Sequence, residues 1–188
     1  IMTTRRDFLK TMTMASAGLA LGAGDILANP TFASQRKITD KVKIAYVGIG
    51  NRGEQIIGDF ARTGMVEVVA LCDVDMGAPH TQKVMNQYPK AKRFRDFRQM
   101  FDKAGNEFDA VAIATPDHSH FPISMLALAS GKHVYVEKPL ARTFYEGELL
   151  MQAALKRPNL VTQVGNQGHS EANYFQFKAW MDAGIIKD

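Results

Sequence analysis

Lys43-Ile44-Ala45-Tyr46-Val47-Gly48-Ile49-Gly50-Asn51-Arg52-Gly53 is the stretch that decides the fold. An apolar run rich in β-formers stops at glycines spaced G-x-G-x-x-G, and a helix-like segment, Glu54 to Arg62, follows. Gly48 permits a tight strand-to-helix turn, Gly50 lets the backbone approach a pyrophosphate, and Gly53 lets the helix pack closely on the strand. The intervening Ile49, Asn51 and Arg52 present their backbone N–H groups, and the helix N-terminus turns a positive dipole end toward a phosphate. Such a triplet also occurs in ordinary turns, so the context matters. A second apolar run, Val66 to Cys72, ends in Asp73, twenty residues beyond Gly53, where a dinucleotide site wants a carboxylate for the ribose hydroxyls.

Outward from this unit, strand and helix signals alternate. Strands are expected at Val42–Val47, Val66–Cys72, Arg93–Phe94, Ala110–Ala114, Val134–Glu137 and Leu160–Val164. Helices are expected at Glu54–Arg62, His80–Gln87, Phe97–Ala104, Phe121–Ala129, Tyr145–Lys156 and Ala172–Asp182. Ala110 to Ala114 is apolar throughout, as a strand buried on both faces should be. Gly64, Gly105 and Gly131 fall at helix ends, where a left-handed cap favours glycine. Alternating units of this kind assemble, through right-handed crossovers, into a Rossmann-type doubly wound parallel sheet of the α/β class.

A chain of 188 residues has room for one domain with a real core. Apolar content of 46% and charged content of 22% are ordinary for a globular protein. The net charge of +4 demands no nucleic-acid partner, because the basic residues are dispersed. Their densest cluster, Lys90, Lys92, Arg93, Arg95 and Arg98, reads as a solvated loop and helix face. A single cysteine, Cys72, excludes an intramolecular disulfide, and its place at a strand end fits an inert thiol. His118 and His120, two residues apart with no cysteine nearby, are a poor metal signal, and no metal is expected. Capping of the next helix or a cofactor contact is the favoured role for them.

The N-terminus reads as an address. Arg5-Arg6 precedes a mildly apolar, Ala/Gly-rich stretch to about Ala28, a pattern resembling a bacterial twin-arginine signal. The stretch is too short and too interrupted to span a membrane. Thr31-Phe32-Ala33 offers small residues for cleavage before Ser34, and an earlier cut after Ala28 also fits. Residues 1–33 are therefore expected to be a signal peptide and 34–41 a linker. Export to the periplasm through the twin-arginine machinery follows, with the dinucleotide loaded before export and no stable membrane anchor.

Three further segments narrow the reading: Thr115-Pro116-Asp117-His118-Ser119-His120, Val136-Glu137-Lys138-Pro139 and Val164-Gly165-Asn166-Gln167. With the glycine turn, they resemble the Gfo/Idh/MocA oxidoreductases, the family of glucose–fructose oxidoreductase and inositol dehydrogenase, from about Val42 to Asp188. Glu-Lys-Pro is the most specific element. The family's usual Thr-Pro-Asn-x-x-His carries Asp117 in place of its asparagine. The resemblance implies hydride transfer between a nicotinamide dinucleotide and a hydroxyl carbon of a sugar, glycoside or polyol. It also implies that Lys138 is the catalytic residue, lying between nicotinamide and substrate, with Glu137 orienting it. Thr115, Pro116, His120, Glu137, Asn166 and Gln167 would join the glycine turn and Asp73 around the cofactor, with His169 a weaker candidate. The charge of Asp73, with no arginine in the following Val74-Asp75, favours NAD over NADP. An NAD-dependent glycoside hydrolase of the same family is the rival activity, and a non-catalytic dinucleotide-binding fragment is a second alternative.

On the same resemblance, residues 42–165 form the Rossmann domain and 166–188 begin an α+β substrate and oligomerisation domain that is truncated at Asp188. Phe175, Phe177 and Trp180 are expected to pack in its first helix. The start at Ile1, ahead of Met2, and the stop at Asp188 suggest a partial reading frame. Such a piece would bind a dinucleotide, lack half its substrate site and show no appreciable turnover. The full-length protein would be a homo-oligomer.

Overall fold

The computed structural model describes residues 41–186. The expected signal peptide, residues 1–33, and nearly all of the linker lie outside the described residues. Six parallel strands are described: β1 (Val42–Val47), β2 (Val66–Cys72), β3 (Lys92–Phe94), β4 (Ala110–Ile113), β5 (His133–Glu137) and β6 (Thr162–Gly165). Their order in the sheet is β3-β2-β1-β4-β5-β6. The order reverses between β1 and β4, so the loops leaving these two neighbours diverge and open a crevice at their carboxyl ends.

The connecting helices are α1 (Arg52–Arg62), α2 (Pro79–Gln87), α3 (Phe97–Ala104), α4 (His120–Ala129) and α5 (Phe144–Leu155), with α6 (Ala172–Asp182) after β6. Side chains alternate across β1 with a period of two. Ile44 and Tyr46 pack with Ile56 and Ile57 of α1 and Val84 and Met85 of α2. Ala45 and Val47 face the other layer, with Met100 of α3, Ile123, Ala127 and Leu128 of α4, and Leu150 of α5. Each face of the sheet thus has its own apolar core, which is why β1 and β4 read as continuous apolar runs.

Several elements differ from expectation. Helix α1 begins at Arg52 rather than Glu54, because Asn51 takes a left-handed conformation (φ 46°) that turns the chain into the helix early. Strand β6 begins at Thr162 rather than Leu160, since the Leu160 N–H closes a turn onto the Arg157 carbonyl (2.9 Å). Gly64 and Gly131 adopt the left-handed cap, whereas Gly105 is right-handed and leads α3 into a 3-10 turn, Gly105–Glu107. Phe175, Phe177 and Trp180 are exposed, and α6 buries none of its residues among those described.

The crossing of β1 and β4 has one tight point. Gly48 has φ 80°, and a Cβ there would lie 2.5 Å from the Ala114 carbonyl oxygen and 2.8 Å from the Thr115 nitrogen. A side chain would therefore meet backbone, which cannot rotate away. Gly48→Ala is expected to destabilise the fold by about 1–3 kcal/mol, through strain at positive φ and displacement of the strand end. Urea unfolding of the two proteins tests this, and a difference within about 0.5 kcal/mol, the usual effect of a surface substitution, would overturn it.

Candidate functional site

The site is built from strand ends. Along the row β2-β1-β4-β5-β6 the residues leaving the sheet are Asp73, Gly48, Ala114-Thr115, Lys138 and Asn166. With strands about 4.8 Å apart, Asp73 and Lys138 leave the sheet roughly 14 Å from one another. A crevice of about 750 Å³ is lined by Gly48, Gly50, Asn51, Asp73, Thr115, Pro116 and His118. A second cavity, of about 850 Å³, is lined by Lys138, Gly165, Asn166, Gln167 and His169 together with Tyr174 and Trp180 of α6. The expected site residues that line these cavities thus fall into two groups, one at the ends of β1, β2 and β4 and one at the ends of β5 and β6.

In the crevice the glycine turn is held by backbone. The Gly48 N–H donates to the Cys72 carbonyl (2.9 Å), and Gly53 lies against the Gly48 carbonyl. Asn51 puts no side-chain cap on α1, so the helix opens without a competing acceptor at its N-terminus. Asp73 fixes the turn as well as facing the crevice. One carboxylate oxygen accepts from the Ile49 N–H (2.9 Å), the other from the Asp75 N–H (3.0 Å). Each carboxylate oxygen can accept a further bond, so Asp73 retains capacity for ribose hydroxyls. Thr115 contributes a buried hydroxyl with no partner among the described residues. Neighbouring Cys72 is buried, and its thiol is pushed up to about 12 by that burial and then by the charges of Asp73 and Asp96, so it stays protonated.

Two expected contacts are redirected. His120 is 1% exposed, with Nδ1 2.6 Å from the Pro139 carbonyl and Nε2 2.8 Å from the Thr115 carbonyl. Its ring ties the loop after β4 to the loop carrying Lys138 instead of reaching into the crevice, because it sits at the start of α4 and turns inward against both strands. Glu137 was expected to orient Lys138. Among the described residues its contact there is with the Lys138 backbone N–H (3.3 Å), not with the ammonium.

Glu137, itself buried, is instead the hub of a partly buried network. Its Oε1 accepts from Arg52 Nη2 (3.1 Å) and Nε (3.2 Å), from Gln167 Nε2 (2.6 Å) and from the Tyr135 hydroxyl (3.4 Å). Gln167 Nε2 also reaches the Tyr135 oxygen (2.7 Å). Gly165 pairs with Glu137 across β5 and β6, and a Cβ there would lie 2.7 Å from Glu137 Oε1. Arg52, Glu137 and Gln167 therefore join the start of α1 to the ends of β5 and β6. They frame the site, while Asn166 and Lys138 face the second cavity.

Sequence reasoning passed over Tyr135, although it lies on the same face as Glu137 two residues on. It also passed over His80 and Arg95. The His80 ring lies over Gly50, and both residues line the crevice beside Asp73. Among the described residues no group of three or more His, Cys, Asp and Glu side chains is arranged to hold a metal ion. The glycine turn, the Asp73 carboxylate and the unpartnered Thr115 hydroxyl suit a dinucleotide: small backbone for the phosphates, an acceptor for ribose, and a polar atom awaiting a partner.

Burial raises the cost of charging Glu137. The hydrogen bonds from Gln167 and Arg52, the Arg52 charge and the Lys138 N–H outweigh it, and the carboxyl is held below its ordinary value of 4.5. As pH falls, the unfolded chain takes up this proton before the folded one does. The contribution to stability is thus full above the ordinary carboxylate value and fades as pH drops through the folded-state value. The stability advantage of the wild type over Glu137→Gln is expected to shrink on acidification below about pH 4.5. Urea titrations at fixed pH measure it, and an advantage constant across that range would overturn the network's electrostatic role.

Residues 42–165 match the Gfo/Idh/MocA family, described as an oxidoreductase family with an NAD-binding Rossmann fold. Inositol 2-dehydrogenase of Salmonella typhimurium is 30% identical over 147 residues, covering 77% of this chain and 43% of that protein. A glycosyl hydrolase family 109 protein of Shewanella pealeana is 31% identical over 158 residues, covering 76% of this chain and 35% of that protein. The crystal structure of scyllo-inositol dehydrogenase from Lactobacillus casei with bound NAD(H) and scyllo-inositol superposes with a TM-score of 0.67. It is 28% identical and covers 79% of this chain and 43% of that one. The chain spans less than half the length of the curated relatives it matches. NAD is the cofactor that this Rossmann fold takes, and the chain belongs to the Gfo/Idh/MocA family of oxidoreductases.

Proposed function

We propose that the protein moves a hydride between NAD and a hydroxyl-bearing carbon of a polyol, sugar or glycoside. The observation that carries this reading is Lys138, exposed at the end of β5 in a cavity it shares with Asn166, Gln167 and His169. NAD supplies the hydride acceptor. The chain supplies the rest: Asp73 and the glycine turn hold the cofactor, and His120 fixes the loop that carries Lys138. Lys138 Nζ accepts the hydroxyl proton as the carbon loses its hydride, and the ammonium so formed stabilises the oxygen and passes a proton on to water. Similarity to inositol dehydrogenases supports a cyclic polyol as the first substrate to try. Since the chain spans under half of those relatives, we propose that a further domain completes the substrate pocket.

A second reading has its own support in the 31% identity to a family 109 glycosyl hydrolase. In that case oxidation is transient, and a glycoside is cleaved with no net change in cofactor. NADH formation, read by absorbance with inositols and free sugars, supports the dehydrogenase. Release of free sugar from an aryl glycoside without NADH supports the hydrolase. Under either reading Lys138→Met is expected to lower kcat by about 10²–10⁴-fold, the usual contribution of a proton-transfer group. A variant keeping more than a tenth of wild-type kcat would remove Lys138 from the chemistry.

We also propose that the protein is exported folded, with its dinucleotide aboard, on the strength of Arg5-Arg6 and the Ala/Gly-rich stretch behind them. Replacing both arginines by lysine is expected to retain the protein in the bacterial cytoplasm. Fractionation tests this, and an unchanged distribution would show that the N-terminus is not a twin-arginine address.

A further inference from the structure

The densest run of basic side chains, which reads in the sequence as a solvated surface, is sorted by the fold. Lys92 pairs with Glu107, and Arg93 donates to the Met85 carbonyl (3.4 Å). Arg98 lies 4.4 Å over the Phe97 ring and 3.5 Å from Asp96. Arg95 differs from these. It is exposed, it lines the same crevice as Asp73, and among the described residues no carboxylate lies within ion-pair distance of it.

Its place follows from strand register. Strands β2 and β3 run parallel with Cys72 opposite Phe94, and the Asp73 N–H donates to the Phe94 carbonyl (3.1 Å). The next residue on each strand, Asp73 and Arg95, therefore leaves the sheet beside the other, about 5 Å apart at the backbone. Asp73 is the acceptor for the adenosine ribose, and the ribose 2′ position is where NAD and NADP differ. A carboxylate alone turns a 2′-phosphate away, whereas an arginine nearby accommodates one. Here each Asp73 oxygen already accepts a backbone N–H, from Ile49 and Asp75, and Arg95, with no ion-pair partner among the described residues, leaves the neighbouring strand beside it and lines the same crevice. A guanidinium fork matches phosphate oxygens with paired, charge-assisted hydrogen bonds.

We propose that Arg95 is a cofactor-specificity residue that receives the 2′-phosphate, so that the crevice admits NADP as well as NAD. The inference rests on the reading of the crevice as the dinucleotide site. It departs from the expectation that Asp73, with no arginine directly after it, favours NAD over NADP. The arginine comes from the neighbouring strand, 22 residues further on.

Isothermal titration of the 188-residue chain with NAD and with NADP tests it. The wild type is expected to bind both. Arg95→Ala should raise the ratio Kd(NADP)/Kd(NAD) at least about tenfold, the loss of one charged hydrogen-bonded contact, and Arg95→Lys should recover part of it. Asp73→Ser should lower the ratio in the Arg95 background and fail to do so alongside Arg95→Ala. Equal weakening of both cofactors by Arg95→Ala would place the guanidinium on adenine or the diphosphate and overturn the proposal. An unchanged ratio would overturn it too. If the wild type bound neither dinucleotide, the crevice reading would fall and this inference with it.

Discussion

The contact between the Gly48 backbone and the Ala114 carbonyl is the constraint on which the site depends. Two neighbouring parallel strands whose helices go to opposite faces send their loops apart, and the crevice opens between those loops where the strand ends themselves stay close. A Cβ at Gly48 would fall 2.5 Å from the Ala114 oxygen. Its absence lets β1 and β4 remain paired up to the turn, with the Ala114 N–H donating to the Val47 carbonyl (2.8 Å). The glycine turn, Thr115 and Asp73 then sit on one rim. The two apolar cores, one on each face of β1, hold that rim from both sides.

Much of this was legible in the sequence because it is local. Strand β1, helix α3 and the position of Asp73 follow from apolar runs and spacing, which act within one or two elements. Boundaries slipped where a short-range bond decided them. The left-handed Asn51 moved the start of α1, and the Leu160 turn moved the start of β6. The exposure of Phe175, Phe177 and Trp180 could not be foreseen, because an aromatic helix does not itself say which surface it faces.

What the sequence hid was contact across the sheet. The motif around Glu137 suggested a partner for Lys138, the adjacent residue. Its carboxylate instead meets Arg52, 85 positions away, and Gln167, 30 positions away. His120 likewise spans 19 positions to Pro139 and five to Thr115. Parallel strands put residues that are distant in the chain side by side at the carboxyl ends, and only register says which ones. Arg95 became a neighbour of Asp73 in this way, once Cys72 was seen to oppose Phe94.

The same geometry couples the two halves of the site. Arg52 occupies a position that the glycine motif leaves unspecified, yet its guanidinium binds the carboxylate next to Lys138. Gly165 must remain without a side chain for that carboxylate to be reached by Tyr135 and Gln167. The glycine turn is therefore joined to the loop that carries Lys138 through the Glu137 carboxylate. Breaking the join would leave the Glu137 carboxylate, itself buried, with only the neutral donors Gln167, Tyr135 and the Lys138 N–H. His120 adds a second tie, from the Thr115 carbonyl to the Pro139 carbonyl, on the other side of Lys138. Neither tie touches a reacting atom. Together they fix the lysine loop relative to the crevice, and positioning of this kind is what the proposed hydride transfer between two separately bound carbons would require.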